Sequence, residues 1–502
     1  MDFINKLKSS LDSEFNVSVT ENMALGYMTT GKNLLDLNFA VASLRSRPEQ
    51  EIVDMFIKAY FDDRKTALIW LFYARDVRGG LGERRLFRVV LEYLAKNNEE
   101  APVGRLIEII TEYGRCDDLF ILFDTRYLTE TMEFIKKQMA HDLLAMERGE
   151  SVSLLAKWLP SINASSMNTK KNGKLVAKML GMTKKGYRQT LSYMRNYIDI
   201  VERKMSTGRF SEIKYEAVPS KANIIYKNAF MRHDEERRKS YLERLKKGET
   251  KINASVLYPH EIVHSYVKDG FHQLKPYDET IEQLWKALPD IPALENTIVV
   301  ADGSGSMGSP VGNTNCTALS VANALAIYFA EKSTGQFKDL YITFSTRPQL
   351  VDLSKGKNLK EKLQIAFAYN EVANTDIYKV FMLILQTAVT NGMKQADMPK
   401  NIVIISDMEF DACADNANKR LFHRIAKDYS NYGYRLPRLI FWNVNSRTNT
   451  IPVRENEMGV ALVSGFSISI AKMIMSLELD PYKCLLDILS DERYNIIRDA
   501  IN

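Results

Sequence analysis

The chain has 502 residues, of which 45% are hydrophobic and 26% charged, as is ordinary for soluble globular proteins. It is long enough for two or three domains, and no apolar run reaches the roughly 18 residues that a membrane-spanning helix needs. The first residues, MDFINKLKSSLDSEF, lack the apolar stretch of a secretory signal, and the four cysteines form no CxxC pair. We therefore expect a cytoplasmic protein with reduced thiols, outside the membrane.

The first part of the chain, residues 1–290, predicts one helix after another. Apolar residues recur there at three- and four-residue spacing, in segments that end at turns rich in Gly, Pro or Asn. The clearest of these segments are PEQEIVDMFIKAYFD, KTALIWLFYARDV, GERRLFRVVLEYLAKN, VGRLIEIITEYG, DLFILFD and TETMEFIKKQMAHDLLAMERG. Because short helices joined by short turns favour stacked antiparallel pairs, we expect an all-α, HEAT-like repeat module.

One basic candidate surface surrounds a glycine-rich turn, ARDVRGGLGERR, that opens a helix. Guanidinium groups and the amides of a helix N-terminus both suit phosphate oxygens. The candidate RNA-binding residues here are Arg75, Arg78, Arg84 and Arg85. An alternative stays open, because Asp76 and Glu83 could pair with these arginines and make a structural knot between two helices.

A second basic surface is predicted within residues 151–250, which hold 22 basic and 9 acidic side chains. Clustered positive charge attracts polyanions, and tyrosines between the cations can stack on unpaired bases. The segment 168–197 contains no acid and three tyrosines, Tyr187, Tyr193 and Tyr197, for which helical packing is an alternative role. Its candidate RNA-binding residues are Lys170, Lys171, Lys174, Lys184, Lys185, Arg188 and Arg195, and Lys178 belongs to the same cluster.

After a proline-bearing connector, residues 291–475 alternate strands and helices. The predicted strands are TIVVAD, DLYITFS, NIVIISD, RLIFWNV and GVALVSGFS, and the helices are TALSVANALAIYFAEKS, NLKEKLQIAFAYN, DIYKVFMLILQTAVTNG, NKRLFHRIAKDYSNYG and SISIAKMIMSLEL. This alternation is typical of a doubly wound α/β domain, in which ligands bind at the carboxyl ends of the strands. Residues 476–502 are expected to form one or two terminal helices. The predicted fold class is therefore α + α/β.

Hard oxygen donors lie at the ends of three of the predicted elements in this α/β part. Asp302, Ser304 and Ser306 alternate with glycines after the first strand, Thr375 precedes a helix, and Asp407 ends a buried strand. Two carboxylates with hydroxyls suit Mg²⁺ or Mn²⁺ better than zinc. An octahedral ion held this way keeps a coordination position open, where an acidic group of a protein partner could bind. A polar surface turn is the plain alternative.

Two resemblances follow from these residues. The D-x-S-x-S motif with Thr375 and Asp407 resembles the metal-ion-dependent adhesion site of von Willebrand factor A domains, which implies that these five positions ligate the metal. The segments TENMALGYMTTGKNLLDLNFAVASLR, YGRCDDLF, WLPSINASS and AVPSKANIIYKNAFMRHDEERRKSYLERLKKG, together with the helix sequence around the glycine-rich turn, resemble TROVE modules. These modules form the helical ring of the Ro autoantigen and of Ro-like proteins, and the likeness is closer to the uncharacterised plant, bacterial and phage branch.

The TROVE resemblance implies a ribonucleoprotein function without bond chemistry. A basic helical ring would capture small structured or misfolded RNA with single-stranded ends, and a von Willebrand A domain would hold Mg²⁺. The alternative is a metal-dependent protein-interaction scaffold, of cellular or phage origin, that does not bind RNA.

One enzyme-like motif, HEIVH at 260–264, matches the zinc hydrolase pattern H-E-x-x-H. His260 and His264 would share a helical face, with Glu279 or Glu282 as a third ligand. However, Pro259 places His260 in the first helical turn, whereas zinc-binding histidines usually lie in the middle of a helix. We therefore expect no enzyme activity.

Overall fold

The computed structural model describes residues 15–269, 273–291, 294–312, 314–344, 347–369, 376–410, 421–452, 460–466 and 480–502. These residues form two compact units, both discontinuous in sequence. The sheet unit comprises the described residues of 15–67 and 254–490, and the helical unit comprises 68–253 and 491–502. Among the described residues, no helix is long and apolar enough to cross a membrane.

The first half of the chain contains two small hairpins, but it consists mainly of helices, as expected. They are α1 (Asn33–Leu44), α2 (Glu49–Asp62), α3 (Arg64–Arg75), α4 (Arg84–Asn97), α5 (Val103–Leu106), α6 (Ile110–Tyr113), α7 (Leu128–Glu147), α8 (Leu155–Trp158), α9 (Met167–Met179), α10 (Lys184–Tyr197), α11 (Val201–Ser206), α12 (Ser220–His233), α13 (Glu235–Lys246), α14 (Pro259–Tyr266) and α15 (Glu279–Lys286). The segment Cys116–Asp124 is a 3-10 helix, and two small hairpins add β1 (Ser18–Val19) with β2 (Leu25–Gly26) and β3 (Val267–Asp269) with β4 (Gln273–Leu274).

The second half of the chain contains a six-stranded mixed sheet, as the alternation of strands and helices predicts. Its strands are β5 (Thr297–Asp302), β6 (Leu340–Phe344), β7 (Gln349–Asp352), β8 (Asn401–Ser406), β9 (Arg438–Asn443) and β10 (Val460–Ser464). The further helices are α16 (Ala318–Lys332), α17 (Leu359–Ala368), α18 (Ile377–Thr390), α19 (Leu421–Asn431), α20 (Pro481–Leu489) and α21 (Asn495–Ile501). The predicted helix SISIAKMIMSLEL lies outside the described residues.

The strand order is β10-β9-β8-β5-β6-β7, with only β7 antiparallel to its neighbour. The sequence analysis did not predict β7, a short edge strand of alternating exposure. The other strands are almost fully buried because a parallel sheet is covered on both faces, and this explains their continuous apolar runs. From β5 the chain goes first to β6 on one side, and β8 later returns to the other side, so the topology switches between β5 and β8.

The two units do not coincide with the predicted segments 1–290, 291–475 and 476–502. Part of the N-terminal region packs on the sheet instead of joining the helical unit: the Ala42 amide donates to Ser464 Oγ at 3.0 Å, and Asn443 Nδ2 donates to the Phe39 carbonyl at 2.8 Å. Helix α14 also packs against α16. The two terminal helices belong to different units: α20 is part of the sheet unit and α21 is part of the helical unit.

The helical unit holds its C-terminal segment through a buried carboxylate. Arg493 donates to both oxygens of the fully buried Asp76, one of them at 2.9 Å. The ring of Tyr494 stacks on Tyr113, with centroids 5.8 Å apart. A Cβ on Gly79 would lie 3.0 Å from the Arg493 side chain, so the glycine-rich turn forms part of this contact.

Candidate functional site

Two carboxylates lie where the topology of the sheet switches. Asp302 is the last residue of β5, and Asp407 follows the last residue of the neighbouring strand β8. Because parallel strands end at the same edge and their connections diverge at this point, this is the position where open α/β sheets bind ligands. The local sequence thus predicts the two strand ends, and the sheet topology brings them together.

The side chains after these strands form one hydrogen-bonded cluster. Ser304 donates its amide to Asp302 Oδ1 at 2.9 Å, and its hydroxyl lies 3.0 Å from that of Ser306. Ser306 is in turn hydrogen-bonded to Asp407, whose Oδ1 also accepts the Glu409 amide at 3.3 Å. We call Asp302, Ser304, Ser306 and Asp407 the carboxylate–hydroxyl cluster. Four of the five residues predicted to bind metal are therefore neighbours, and the fifth, Thr375, lies outside the described residues.

Burial concentrates negative charge in this cluster. Asp302 and Asp407 are each only 1% exposed. Burial and the nearby charge of Asp302 raise the pKa of Asp407 to about 7, against the lowering effect of the Ser306 hydrogen bond. A divalent cation would relieve this repulsion, and the oxygens present are the ligands that Mg²⁺ or Mn²⁺ prefers. Among the described residues no group of three or more His, Cys, Asp or Glu side chains could hold a metal, so a cation bound here would also need the serine hydroxyls as ligands.

Three further residues contact the cluster or hold the loop beside it, and they were not predicted from the sequence. Ser406 donates its hydroxyl to Asp302 Oδ2 at 2.6 Å and fixes that carboxylate. The guanidinium of Arg447 lies 3.7 Å from Asp407 Oδ2. Glu409, fully buried, accepts the amides of Arg447 and Thr448 at 2.8 and 2.9 Å and so holds the loop that carries Arg447. No motif marks these residues, because their roles depend on contacts between distant segments.

The second candidate surface is the basic hairpin, which consists of α9, α10 and the turn between them at Gly181. Both helices pack on the segment 156–162. A Cβ on Gly173 of α9 would lie 2.9 Å from the Pro160 carbonyl, and Tyr187 of α10 donates its hydroxyl to the same oxygen at 3.0 Å. Gly173 and Tyr187 belong to the buried face of their helices, and the exposed residues of each helix form its solvent face.

Most cations of the basic hairpin lie on these solvent faces. Helical spacing of three and four residues keeps the cations of each helix on one side of it. Among the described residues, Lys171 has an acidic partner in Asp124 at 3.5 Å, and both side chains are exposed. The cations for which the described residues provide no acidic partner are Lys170, Lys174, Lys178, Lys184, Lys185 and Arg188.

Two of the predicted RNA-binding arginines have structural roles instead. Arg195 donates to the carbonyls of Ala156 and Leu159, both at 2.7 Å, and so fastens α10 to the segment beneath it. Arg75 is buried and forms an ion pair with Asp118 at 2.8 Å. The knot left open by the sequence therefore exists at Arg75, where Asp118 is the acid.

The other arginines of the glycine-rich turn differ in exposure. Arg78 and Arg84 are exposed, and Arg85 is half-buried. Partial burial and the like charges of Arg88 and Arg115 lower the pKa of Arg84, which shows that positive charge accumulates beside the knot. Arg88 and Arg115 are themselves paired with Asp117. This region therefore combines a structural centre with two exposed cations.

Two of the residues considered as zinc ligands, His260 and Glu282, take part in packing and capping. His260 lies in the first turn of α14, as predicted, and its ring stacks on Tyr258 with centroids 5.6 Å apart. The buried Glu282 accepts the Tyr266 hydroxyl at 2.7 Å and the Leu359 amide at 2.9 Å, so it caps α17. The structure thus gives these side chains roles that do not require zinc.

Comparison with known proteins finds that two parts of the chain are similar to domains of unknown function. Residues 296–483 match the domain of unknown function DUF7788, and residues 163–291 match DUF2828. The uncharacterized protein L728 of Acanthamoeba polyphaga mimivirus is similar to this chain, with 29% identity over 518 residues that covers 94% of this chain and 87% of the viral protein. The first matched range includes the carboxylate–hydroxyl cluster and the second includes the basic hairpin. None of these descriptions names a ligand or a reaction.

Proposed function

We propose that the protein binds RNA through the basic hairpin. The observation that carries this proposal is that two helices packed on one segment hold six cations without acidic partners among the described residues, five of them exposed and Lys170 half-buried. Lysine and arginine side chains that neutralise phosphates release counterions, and this gives salt-dependent affinity with weak sequence preference. The resemblance to TROVE modules, in a chain that also carries an α/β part, supports RNA of the type bound by Ro proteins, with structured regions and single-stranded ends.

The test compares three neutralising substitutions with a matched control. The variant Lys184→Gln, Lys185→Gln, Arg188→Gln is expected to weaken binding of an RNA hairpin with a single-stranded tail. It should also reduce the slope of log affinity against log salt by roughly 2, since about 0.7 counterions are released per single-strand phosphate contact. Gel-shift titrations at several salt concentrations give both quantities.

The control variant is Lys239→Gln, Arg244→Gln, Lys246→Gln on α13. Each of these cations already has an acidic partner, Glu235, Glu216 and Glu243 respectively. The control removes the same charge from the same unit and should leave the affinity and the salt slope unchanged. Equal effects of the two variants would contradict the proposal, because they would show that only net charge matters.

A second candidate function is cation-dependent binding of a protein partner by the sheet unit, which we propose to be of the von Willebrand A type. The convergence of Asp302, Ser304, Ser306 and Asp407 favours it. These four residues, with Thr375, would hold Mg²⁺ or Mn²⁺, and the ion would supply a coordination position for an acidic side chain of the partner. The chain's own residues orient the carboxylates and keep bulk water from them.

Calorimetric titration with MgCl₂ tests this second function. The wild-type protein is expected to bind one Mg²⁺ ion, and Asp302→Asn, which keeps the shape of the side chain, should abolish this binding. RNA binding by the same variant should remain, because the basic hairpin belongs to the helical unit. If the wild-type protein binds no divalent cation, the proposal of a metal site fails while the RNA proposal stands.

A further inference from the structure

The carboxylate–hydroxyl cluster already has a protein cation beside it. The Arg447 guanidinium lies 3.7 Å from Asp407 Oδ2, and the same nitrogen forms an ion pair with Glu21. Arg447 is partly exposed, with 38% of its side chain accessible, whereas Asp407 is almost fully buried. One arginine is therefore shared between a buried carboxylate of the cluster and an exposed carboxylate of the N-terminal segment.

The N-terminal segment that carries Glu21 is fixed to the same edge of the sheet. The Glu21 amide donates to Glu409 Oε2 at 2.8 Å, Asn22 Nδ2 donates to the Glu409 carbonyl at 2.7 Å, and Thr20 Oγ1 donates to the Phe410 carbonyl at 2.5 Å. A Cβ on Gly26 would lie 2.8 Å from the Ile451 carbonyl, which shows how closely β2 approaches this loop. Glu21 is thus held near Arg447 by hydrogen bonds that do not involve its own carboxylate.

We propose that Arg447 competes with the divalent cation for Asp407, and that Glu21 weakens this competition by holding the guanidinium. This inference deepens the proposed metal-binding function and depends on it. A positive charge within 4 Å of a buried carboxylate ligand repels an incoming cation and stabilises the metal-free site. Glu21 offers that charge a second partner outside the cluster, so the N-terminal segment sets the affinity of the site for its ion.

The proposal predicts opposite effects for the two residues. Arg447→Gln is expected to raise the Mg²⁺ affinity roughly ten-fold, because the competing charge is lost. Glu21→Gln should lower it a few-fold, because Arg447 is then free to pair with Asp407. The double variant should bind like Arg447→Gln alone, since Glu21 acts only through the arginine.

Arg47 provides a matched control in the same neighbourhood. Its guanidinium donates to the carbonyl of Arg447 and not to a carboxylate of the cluster. Arg47→Gln removes one positive charge close by and should change the Mg²⁺ affinity much less than Arg447→Gln. Substitution of the Arg447 side chain leaves the hydrogen bond from its backbone amide to Glu409 in place, so the loop should keep its conformation.

Isothermal titration of the full-length variants with MgCl₂ at two salt concentrations is the experiment. Tighter binding by Arg447→Gln, with a smaller gain at high salt and no further effect of Glu21→Gln in the double variant, supports the proposal. Saturable binding with equal affinity in the wild type and Arg447→Gln would overturn this inference alone. Absence of Mg²⁺ binding in both would overturn the metal site and the inference together.

Discussion

The carboxylate–hydroxyl cluster and the basic hairpin accumulate charge in opposite ways. In the cluster, carboxylates from strand ends that are distant in sequence are buried side by side, with one partly exposed arginine as the nearest described cation. In the hairpin, cations from one continuous segment are exposed. A buried excess of charge suits a small ion that fits among fixed ligands, whereas an exposed excess suits an extended polyanion. By this argument burial, more than the number of charges, decides which kind of ligand each region could accept.

Buried charges of both signs meet in the knot around Asp118. We therefore expect substitution of Asp118 to cause a greater loss of stability than the other changes below. Asp118 is fully buried and accepts from Arg75, from Arg88 at 2.6 Å and from the Arg115 amide at 2.9 Å. Asp118→Ala leaves the buried Arg75 unpaired and should destabilise the helical unit by about 3–5 kcal/mol. Hydrogen exchange of the α4 amides measures the change.

Asp124→Ala serves as the control for that experiment, because Asp124 pairs with Lys171 at the surface. Its effect should stay within about 0.5 kcal/mol. A loss of similar size in both variants would show that the Asp118 knot behaves as a surface ion pair.

Tyr193 is an exposed tyrosine of the basic hairpin, on which unpaired bases could stack. Its side chain is 58% exposed on α10, whereas Tyr187 is buried on the same helix. If unpaired bases lie along the hairpin, Tyr193→Ala should weaken binding of a single-stranded tail roughly ten-fold, because stacking contributes about 1–3 kcal/mol per base. Fluorescence anisotropy with a labelled tail measures the loss.

The matched control for Tyr193 is Tyr432→Ala in the sheet unit, where the tyrosine is 59% exposed. This variant should bind the tail like the wild type. Equal binding by the two variants would mean that the hairpin contacts phosphates without stacking on bases.

Substitution of His264 should change stability less than the other variants. Its effect comes from partial burial of the imidazole and not from the binding of a charged ligand. Nδ1 of His264 is buried and has no hydrogen-bond partner among the described residues, and burial together with Lys275 lowers its pKa below the ordinary 6.5. Below pH 6.5 the unfolded chain therefore binds a proton that the folded chain resists, so stability should fall as the pH falls through that range. Urea unfolding at pH 7.5 and 5.5 should show a smaller decrease for His264→Gln than for the wild type, and identical decreases would contradict this.

Local patterns predicted most of the elements but not their tertiary contacts. TIVVAD matches β5 residue for residue, because a strand buried on both faces is apolar throughout. The edge strand β7 was missed because its short alternating pattern resembles a loop. Asp302 and Asp407 could be predicted because each follows a buried strand. By contrast, Ser406, Arg447 and Glu21 carry no local signal and approach the cluster only through the tertiary fold.

The basic residues show the same limit. Arg75 and Lys184 look alike in sequence, since each lies near the end of a predicted helix in a basic stretch. Only the fold separates them, because Asp118 comes to Arg75 from 43 positions away whereas the described residues bring no acid to Lys184. Charge counts therefore identified the hairpin correctly as a basic segment but could not tell its exposed cations from Arg195, which is used in packing.

The interleaving of the two units has a consequence for how the protein can be made and divided. Residues 68–253 are inserted between two parts of the sheet unit, and residues 491–502 return to the helical unit. During synthesis, the Asp76 carboxylate cannot pair with Arg493 until more than 400 further residues have been made. A fragment that stops at residue 253 would lack this partner, and one that starts at residue 254 would lack α1, which packs on β9 and β10. Recombinant fragments should therefore be joined from both sequence blocks of a unit by a designed linker.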